Sequence, residues 1–123
     1  MQLLAIAAGG AVGALLRFWV SEGVHNAFGR TFPYGTLTVN VVGSLLIGLL
    51  YVVFNERLAL AGPWRALVLV GVLGAFTTFS TFSMETLELI EKGDFVKSML
   101  NIILNVSLCV FAAWIGVITG RAI

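Results

Sequence analysis

Between Gly71 and Ser83 the chain reads GVLGAFTTFSTFS, with two glycines, five hydroxyls and three evenly spaced phenylalanines but no charge, inside a long apolar stretch. Polar groups at membrane depth are expensive and seldom idle. Phe76, Phe79 and Phe82 recur every three residues, which makes a slowly turning aromatic stripe on a helix. Ser80, Thr81 and Ser83 fall between the rings and add a hydroxyl strip. An aromatic ring has a negative face and a positive edge, so ring edges beside hydroxyl donors suit a small anion, whereas ring faces suit a cation. The plainer reading of the same residues is a packing ridge, with hydroxyls bonded back to carbonyls one turn earlier.

Two other stretches carry uncharged polar stripes. Thr36, Asn40 and Ser44 lie at four-residue intervals and so share a helix face. Asn40 is the costly member, because an unpartnered amide in hydrocarbon loses several kcal/mol. Asn101, Asn105 and Cys109 repeat the spacing near the C-terminus, where interhelical hydrogen bonding is the simpler account. Three such stripes in so short a chain argue for a narrow solvated path lined by donors. Arg17 belongs near the end of the first apolar stretch, placed to snorkel or to draw an anion into a vestibule. Glu85 is the deepest acid, about a turn beyond the Phe/Ser run. Neither sits at a membrane centre, where a proton-coupled exporter needs an ionisable group.

Other chemistries find little support. His25, the only histidine, has no cysteine, histidine or paired acids nearby, so neither a metal cluster nor a nucleophile–base pair is expected. No glycine-rich phosphate loop precedes a lysine, and a net charge of +1 offers no face for nucleic acid. Cys109 is the sole cysteine, which rules out an intrachain disulfide.

These residues need elements to hold them in place. With 59% hydrophobic and 11% charged residues over 123 positions, and a mean hydropathy of +1.04, the chain has more apolar surface than it could bury internally. Lipid must be the solvent for the remainder. Charges and turn-formers divide the sequence into four apolar spans, about 3–20, 34–54, 64–90 and 95–120, each near or above the roughly 20 residues needed to cross the bilayer. The connectors are short and turn-like, so the expected architecture is an all-α integral membrane protein forming a single four-helix transmembrane domain over residues 1–123. Met1-Gln2 supplies no basic flank and Arg17-Phe18-Trp19 no small-residue cleavage site, so the first span is expected to be a mature helix instead of a signal peptide.

The third span, Trp64 to Ile90, has 27 residues and must either tilt or break. Gly71 and Gly74 followed by Thr77-Thr78 favour a break, because glycine weakens the helix and hydroxyls can satisfy freed backbone groups. Freed carbonyls would suit a cation such as sodium, and the amide end of the next half-helix an anion. An even number of spans places Arg57, Arg65 and Arg121 on one side and Arg17, Arg30, Lys92 and Lys97 on the other. Three against four is almost no orientation bias, which suggests insertion both ways and an antiparallel homodimer about an in-plane two-fold axis. Gly9 with Gly13, Gly10 with Ala14, and Gly116 with Gly120 have the spacing for close helix packing.

The blocks GTLTVNVVGS (residues 35–44) and GVLGAFTTFSTFS (residues 71–83), preceded by Gly13 and Arg17-Phe18, resemble the CrcB/Fluc family of bacterial fluoride channels. The resemblance spans the whole chain in length and span count. It implies a dual-topology antiparallel homodimer in the bacterial inner membrane, with two pores that export fluoride passively and exclude chloride. By this resemblance Asn40, Phe79 and Phe82 line the pore with ring edges toward fluoride, and Ser80 and Thr81 belong to a polar track. Gly74 and Thr77 would supply backbone carbonyls to a structural sodium ion at the dimer centre, and Thr36 and Glu85 lie near one pore end. Asn101, Asn105 and Cys109 depart from the family pattern, in which some members carry Tyr and Ser. The competing classes are a small proton-coupled multidrug exporter, for which residues 3–16 offer no carboxylate, and a non-transporting packing subunit of a larger membrane complex.

Overall fold

The computed structural model describes residues 1–58 and 62–123, and the described residues are helices and short connectors. Among the described residues four helical runs are long and apolar enough to cross a membrane: Gln2–Phe28, Tyr34–Arg57, Gly62–Glu91 and Phe95–Ala122. The first is helix α1 (Gln2–Phe28). The second is α2 (Tyr34–Val52), which widens into a π turn over Val53–Arg57. The third is assembled from α3 (Gly62–Arg65), a π-helical stretch Ala66–Leu73, α4 (Gly74–Phe76) and α5 (Phe79–Glu91), and the fourth is α6 (Phe95–Ala122).

Helix α1 runs past Val20, where the apolar pattern ends, and takes in residues 21–28 that read as a turn in the sequence. A charge does not stop a helix; a backbone that must leave helical space does. Here that residue is Gly29, with φ 88°, whose N–H still bonds the His25 carbonyl at 2.7 Å. The α5–α6 connection ends on the same principle. Gly93 has φ 79°, its N–H bonds Ile90 O at 3.0 Å, and the Asp94 N–H bonds Leu89 O at 2.9 Å. This paired closure satisfies the carbonyls of Leu89 and Ile90 in the last turn of α5. Asp94 then starts α6 by accepting the Lys97 N–H at 3.3 Å.

Small residues set the interhelical distances. A Cβ on Gly9 would collide with the Leu67 carbonyl, and one on Gly13 with the Val72 carbonyl, so α1 rests backbone to backbone on the π-helical stretch. A Cβ on Gly48 would strike the Ala113 carbonyl and one on Gly116 the Leu45 carbonyl, which locks α2 along α6. Gly116 and Gly120 do pack, whereas Gly10 faces open space and sets no contact. Residue spacing identified the small residues but not which of two adjacent glycine faces meets a neighbour. Most large apolar side chains, Phe18, Trp19, Val96 and Val110 among them, point outward, as in a protein whose exterior solvent is hydrocarbon. The interior holds Val39, Val52, Leu73, Phe76 and Phe82 and, among them, the polar side chains of Thr36, Thr86, Ser98, Asn101 and Asn105.

Candidate functional site

Between α4 and α5 the backbone leaves helical geometry at two residues, Thr77 (φ −86°, ψ 158°) and Thr78 (φ −153°, ψ 120°). The groups that helix would have paired are redirected there. In an α-helix the Thr78 N–H would meet the Gly74 carbonyl, but it donates to Asn40 Oδ1 at 2.8 Å. The Thr81 N–H would meet the Thr77 carbonyl, but it donates to Thr78 Oγ1 at 3.3 Å, the N-cap bond of α5. The carbonyls of Gly74 and Thr77 thereby lose their α-helical donors.

Asn40 answers the extended residue from α2. Besides accepting the Thr78 N–H, its Nδ2 donates to the Thr78 carbonyl at 3.0 Å, so one side-chain amide pairs with both polar groups of one residue. Its Nδ2 also donates to Asn105 Oδ1 at 3.1 Å, which ties α6 into the site. The network continues in one direction. Asn105 Nδ2 donates to Asn101 Oδ1 at 2.9 Å, Asn101 Nδ2 to Thr86 Oγ1 at 2.9 Å, and the Thr86 hydroxyl to the Phe82 carbonyl at 2.7 Å. Asn101 is wholly buried and Asn105 and Thr86 nearly so, so this linked chain is how three polar side chains survive without solvent.

A cavity of about 400 Å³ opens at this junction. Asn40 and Ser44 line it from α2, Gly74, Thr77 and Thr78 from around the extended residues, Phe79 and Phe82 from α5, and Asn105 and Cys109 from α6. No aspartate, glutamate, lysine, arginine or histidine is among its lining residues. Phe79 and Phe82 stand 5.3 Å apart between ring centroids and are tilted by 55°. They differ in exposure: Phe82 is 7% exposed and Phe79 76%, so Phe79 projects from the chain.

The other residues singled out in the sequence lie around this centre. Ser80 and Thr81 are exposed and turn toward Thr78, whose Oγ1 donates to Thr81 Oγ1 at 3.1 Å and lies 3.5 Å from Ser80 Oγ. Ser83 does bond back to the Phe79 carbonyl at 3.0 Å. Thr36 is buried one turn from Asn40, outside the cavity lining. Arg17 is half-buried on α1, outside the cavity, with no ion pair among the described residues. Glu85 belongs to a second cavity of about 420 Å³ at the end of the bundle, with His25, Arg30, Glu88, Lys92 and Lys97. There Arg30 pairs with Glu22 at 2.6 Å and Lys97 with Asp94 at 3.4 Å. His25 sits in the last turn of α1 and its Nε2 accepts the Gly35 N–H at 3.1 Å, capping the start of α2. At the opposite end Arg121 meets Glu56 at 3.4 Å and the Arg57 guanidinium donates to the Arg121 carbonyl.

Thr78 is the residue that sequence reasoning undervalued. Thr77-Thr78 stood out together after the glycines and only Thr77 was given a role, yet Thr78 supplies the N–H, carbonyl and hydroxyl on which the site is organised. The stripe of Asn101 and Asn105 was visible as a four-residue repeat, but its join to Asn40 crosses 65 positions.

Comparison with known proteins adds an independent line. Residues 4–117 match the family model described as CrcB-like protein, Camphor Resistance (CrcB). A fluoride-specific ion channel FluC of Magnetococcus marinus is 50% identical over 123 residues, covering all of both chains. The FluC of Pseudoalteromonas translucida is 54% identical over 90% of this chain and 92% of its own. The FluC of Methylococcus capsulatus is 55% identical over 98% of this chain, which spans 53% of that relative's length.

Proposed function

The chain belongs to the CrcB-like family, and from that premise we propose that it is a channel that lets fluoride leave the cell passively across the bacterial inner membrane, relieving fluoride toxicity. It is a multi-pass membrane protein and, like the channels it is similar to, no enzyme. The observation that carries the proposal is the cavity where Asn40, Thr78, Phe79 and Phe82 meet, which offers amide and hydroxyl dipoles but no fixed charge. Fluoride is small and tightly hydrated. A site without a cation must replace its water with several aimed donors, or the ion stays outside. Asn40 contributes an amide, Phe79 and Phe82 their positive ring edges, and Ser80 and Thr81 the hydroxyls of an adjoining track. Thr36, Glu85 and Arg17 stand toward the pore ends.

The same cavity weighs against a proton-coupled multidrug exporter, because a lining without a carboxylate has nothing to load and release a proton at the membrane centre.

The working assembly in this reading is an antiparallel homodimer of oppositely inserted chains with two pores. In that assembly Phe79, 76% exposed beside the cavity, is covered by the partner chain. The two extended residues are read as the break in the third span. The carbonyls of Gly74 and Thr77, freed there, would meet their symmetry mates at a central two-fold axis and hold a structural sodium ion. Among the described residues no cluster of three His, Cys, Asp or Glu exists, so a cation at this place has carbonyl and hydroxyl oxygens for ligands. An uncharged oxygen set of that kind suits a hard monovalent ion. Such an ion, if held by those carbonyls, would tie the two backbones together.

The test is efflux from liposomes containing the purified protein, followed with a fluoride electrode and compared with chloride. Fluoride loss with chloride retained is expected. Retention of both ions would return the packing-subunit reading, and proton-coupled movement of a lipophilic cation would return the exporter.

A further inference from the structure

Asn40 has two amide hydrogens, and both are already engaged. Its Oδ1 faces the Thr78 N–H at 2.8 Å, which fixes the orientation of the amide, because an NH₂ turned toward that N–H would set donor against donor. The two hydrogens on Nδ2 then go to the Thr78 carbonyl at 3.0 Å and Asn105 Oδ1 at 3.1 Å. Asn105 is fixed in the same way. Its Nδ2 donates to the Asn101 carbonyl and to Asn101 Oδ1, both at 2.9 Å, so its oxygen is the atom presented to Asn40.

The two acceptors on Asn40 are unequal. Thr78 O is backbone, held in place by the same amide that it accepts from. Asn105 Oδ1 is the end of a rotatable side chain, and Asn105 lines the same cavity as Asn40. An anion in the cavity can therefore gain a hydrogen from Asn40 only by taking the place of Asn105 Oδ1. We infer that Asn105 is a positioning residue that sets fluoride affinity: its Oδ1 is a resident acceptor that satisfies Asn40 when no ion is present and that fluoride must displace. The inference rests on the fluoride reading and deepens it. It assigns to α6 a task different from lending donors to the ion, since both hydrogens of Asn105 are committed to Asn101. It also gives the buried amide chain a use. Asn101 and Thr86 hold Asn105 in the orientation that makes it an acceptor.

The test uses the full-length protein labelled with ¹⁵N-asparagine in detergent micelles and titrated with sodium fluoride, with sodium chloride as the control. The side-chain amides of Asn40 and Asn105 are expected to shift together, with one midpoint, and chloride to move neither. Movement of Asn40 with Asn105 stationary overturns the inference, as does the absence of any shift. In Asn105→Leu the competing acceptor is gone, and the Asn40 midpoint is expected to fall by about three- to tenfold, the worth of one neutral hydrogen bond. A role confined to packing would leave that midpoint unchanged or raise it, and either result counts against the inference. If the leucine variant fails to fold, the wild-type titration decides alone. Wild-type liposome efflux separates the two readings: no fluoride efflux defeats the channel proposal, whereas efflux with a stationary Asn105 defeats only this inference.

Discussion

Two cavities of nearly equal volume, about 400 and about 420 Å³, are lined by opposite chemistry. The central one gathers the amides of Asn40 and Asn105, the hydroxyls of Ser44, Thr77 and Thr78 and the rings of Phe79 and Phe82, and carries no acid or base. The end one gathers Arg30, Lys92 and Lys97 with Glu85, Glu88 and Asp94, three cations against three acids. The difference is one of solvent. At the end of the bundle a charge keeps part of its hydration, and salt screens what it does at a distance. At membrane depth a charge costs far more, so an ion has to be met by dipoles that are held in place and unable to relax. On the proposed fluoride reading, the centre decides which ion passes and the end only tunes how often one arrives.

The largest break in that comparison is a charge moved to the centre. Asn40→Asp would set carboxylate oxygens against the Thr78 carbonyl and Asn105 Oδ1, both now facing donors, and would oppose an entering anion. Two like charges 4 Å apart repel by about 4 kcal/mol at an effective dielectric of 20, so fluoride efflux should fall by roughly a hundredfold or more. Wild-type efflux from this variant in liposomes would place Asn40 outside the ion path.

Next in size is a change that keeps the cavity uncharged but removes the anchor of its geometry. Thr78→Val conserves shape while deleting the hydroxyl that caps α5 and bonds Thr81. The Thr81 N–H is then free to pair with the Thr77 carbonyl, drawing the extended residues back toward helix. Losing an N-cap costs about 1 kcal/mol, so efflux should drop by about fivefold to tenfold, with a lowered melting temperature. Thr78→Ser retains the cap and should restore both quantities. Full activity in the valine variant would show that the neighbouring bonds, chiefly those of Asn40, hold the backbone unaided.

These variants also mark how much of the molecule could be read in the sequence. Four apolar spans were legible, because length and hydropathy act locally and lipid enforces them. So was the crowding of glycine and hydroxyl residues at 71–83, since a helix pays for glycine at each position separately. The end of α1 was not, because it depends on the positive φ of Gly29 and not on where the apolar pattern stops. The site was legible as three polar stripes but not as a network. Whether Asn40 meets Thr78, Asn105 or lipid is settled by helix rotation, and rotation depends on which glycines, Gly48 and Gly116 among them, contact a neighbouring backbone.

The smallest effect belongs to the end cavity and tests the comparison from its other side. Arg30 is paired with Glu22 and Lys97 with Asp94, while Lys92 has no ion pair among the described residues. Lys92→Gln would leave the lining with more acids than cations and so lower the local concentration of an anion at the mouth. With the group exposed, the change should be only about twofold in fluoride efflux at roughly 0.01 M salt, where the Debye length is about 30 Å. At about 0.3 M salt the difference should vanish, because screening within a few ångströms hides a single charge from an approaching ion. Fluoride-over-chloride selectivity should be the same in both buffers and in both proteins. A selectivity change in Lys92→Gln, or a loss of efflux that salt does not erase, would mean that the charged end takes part in choosing the ion, and the division of labour between the two cavities would fail.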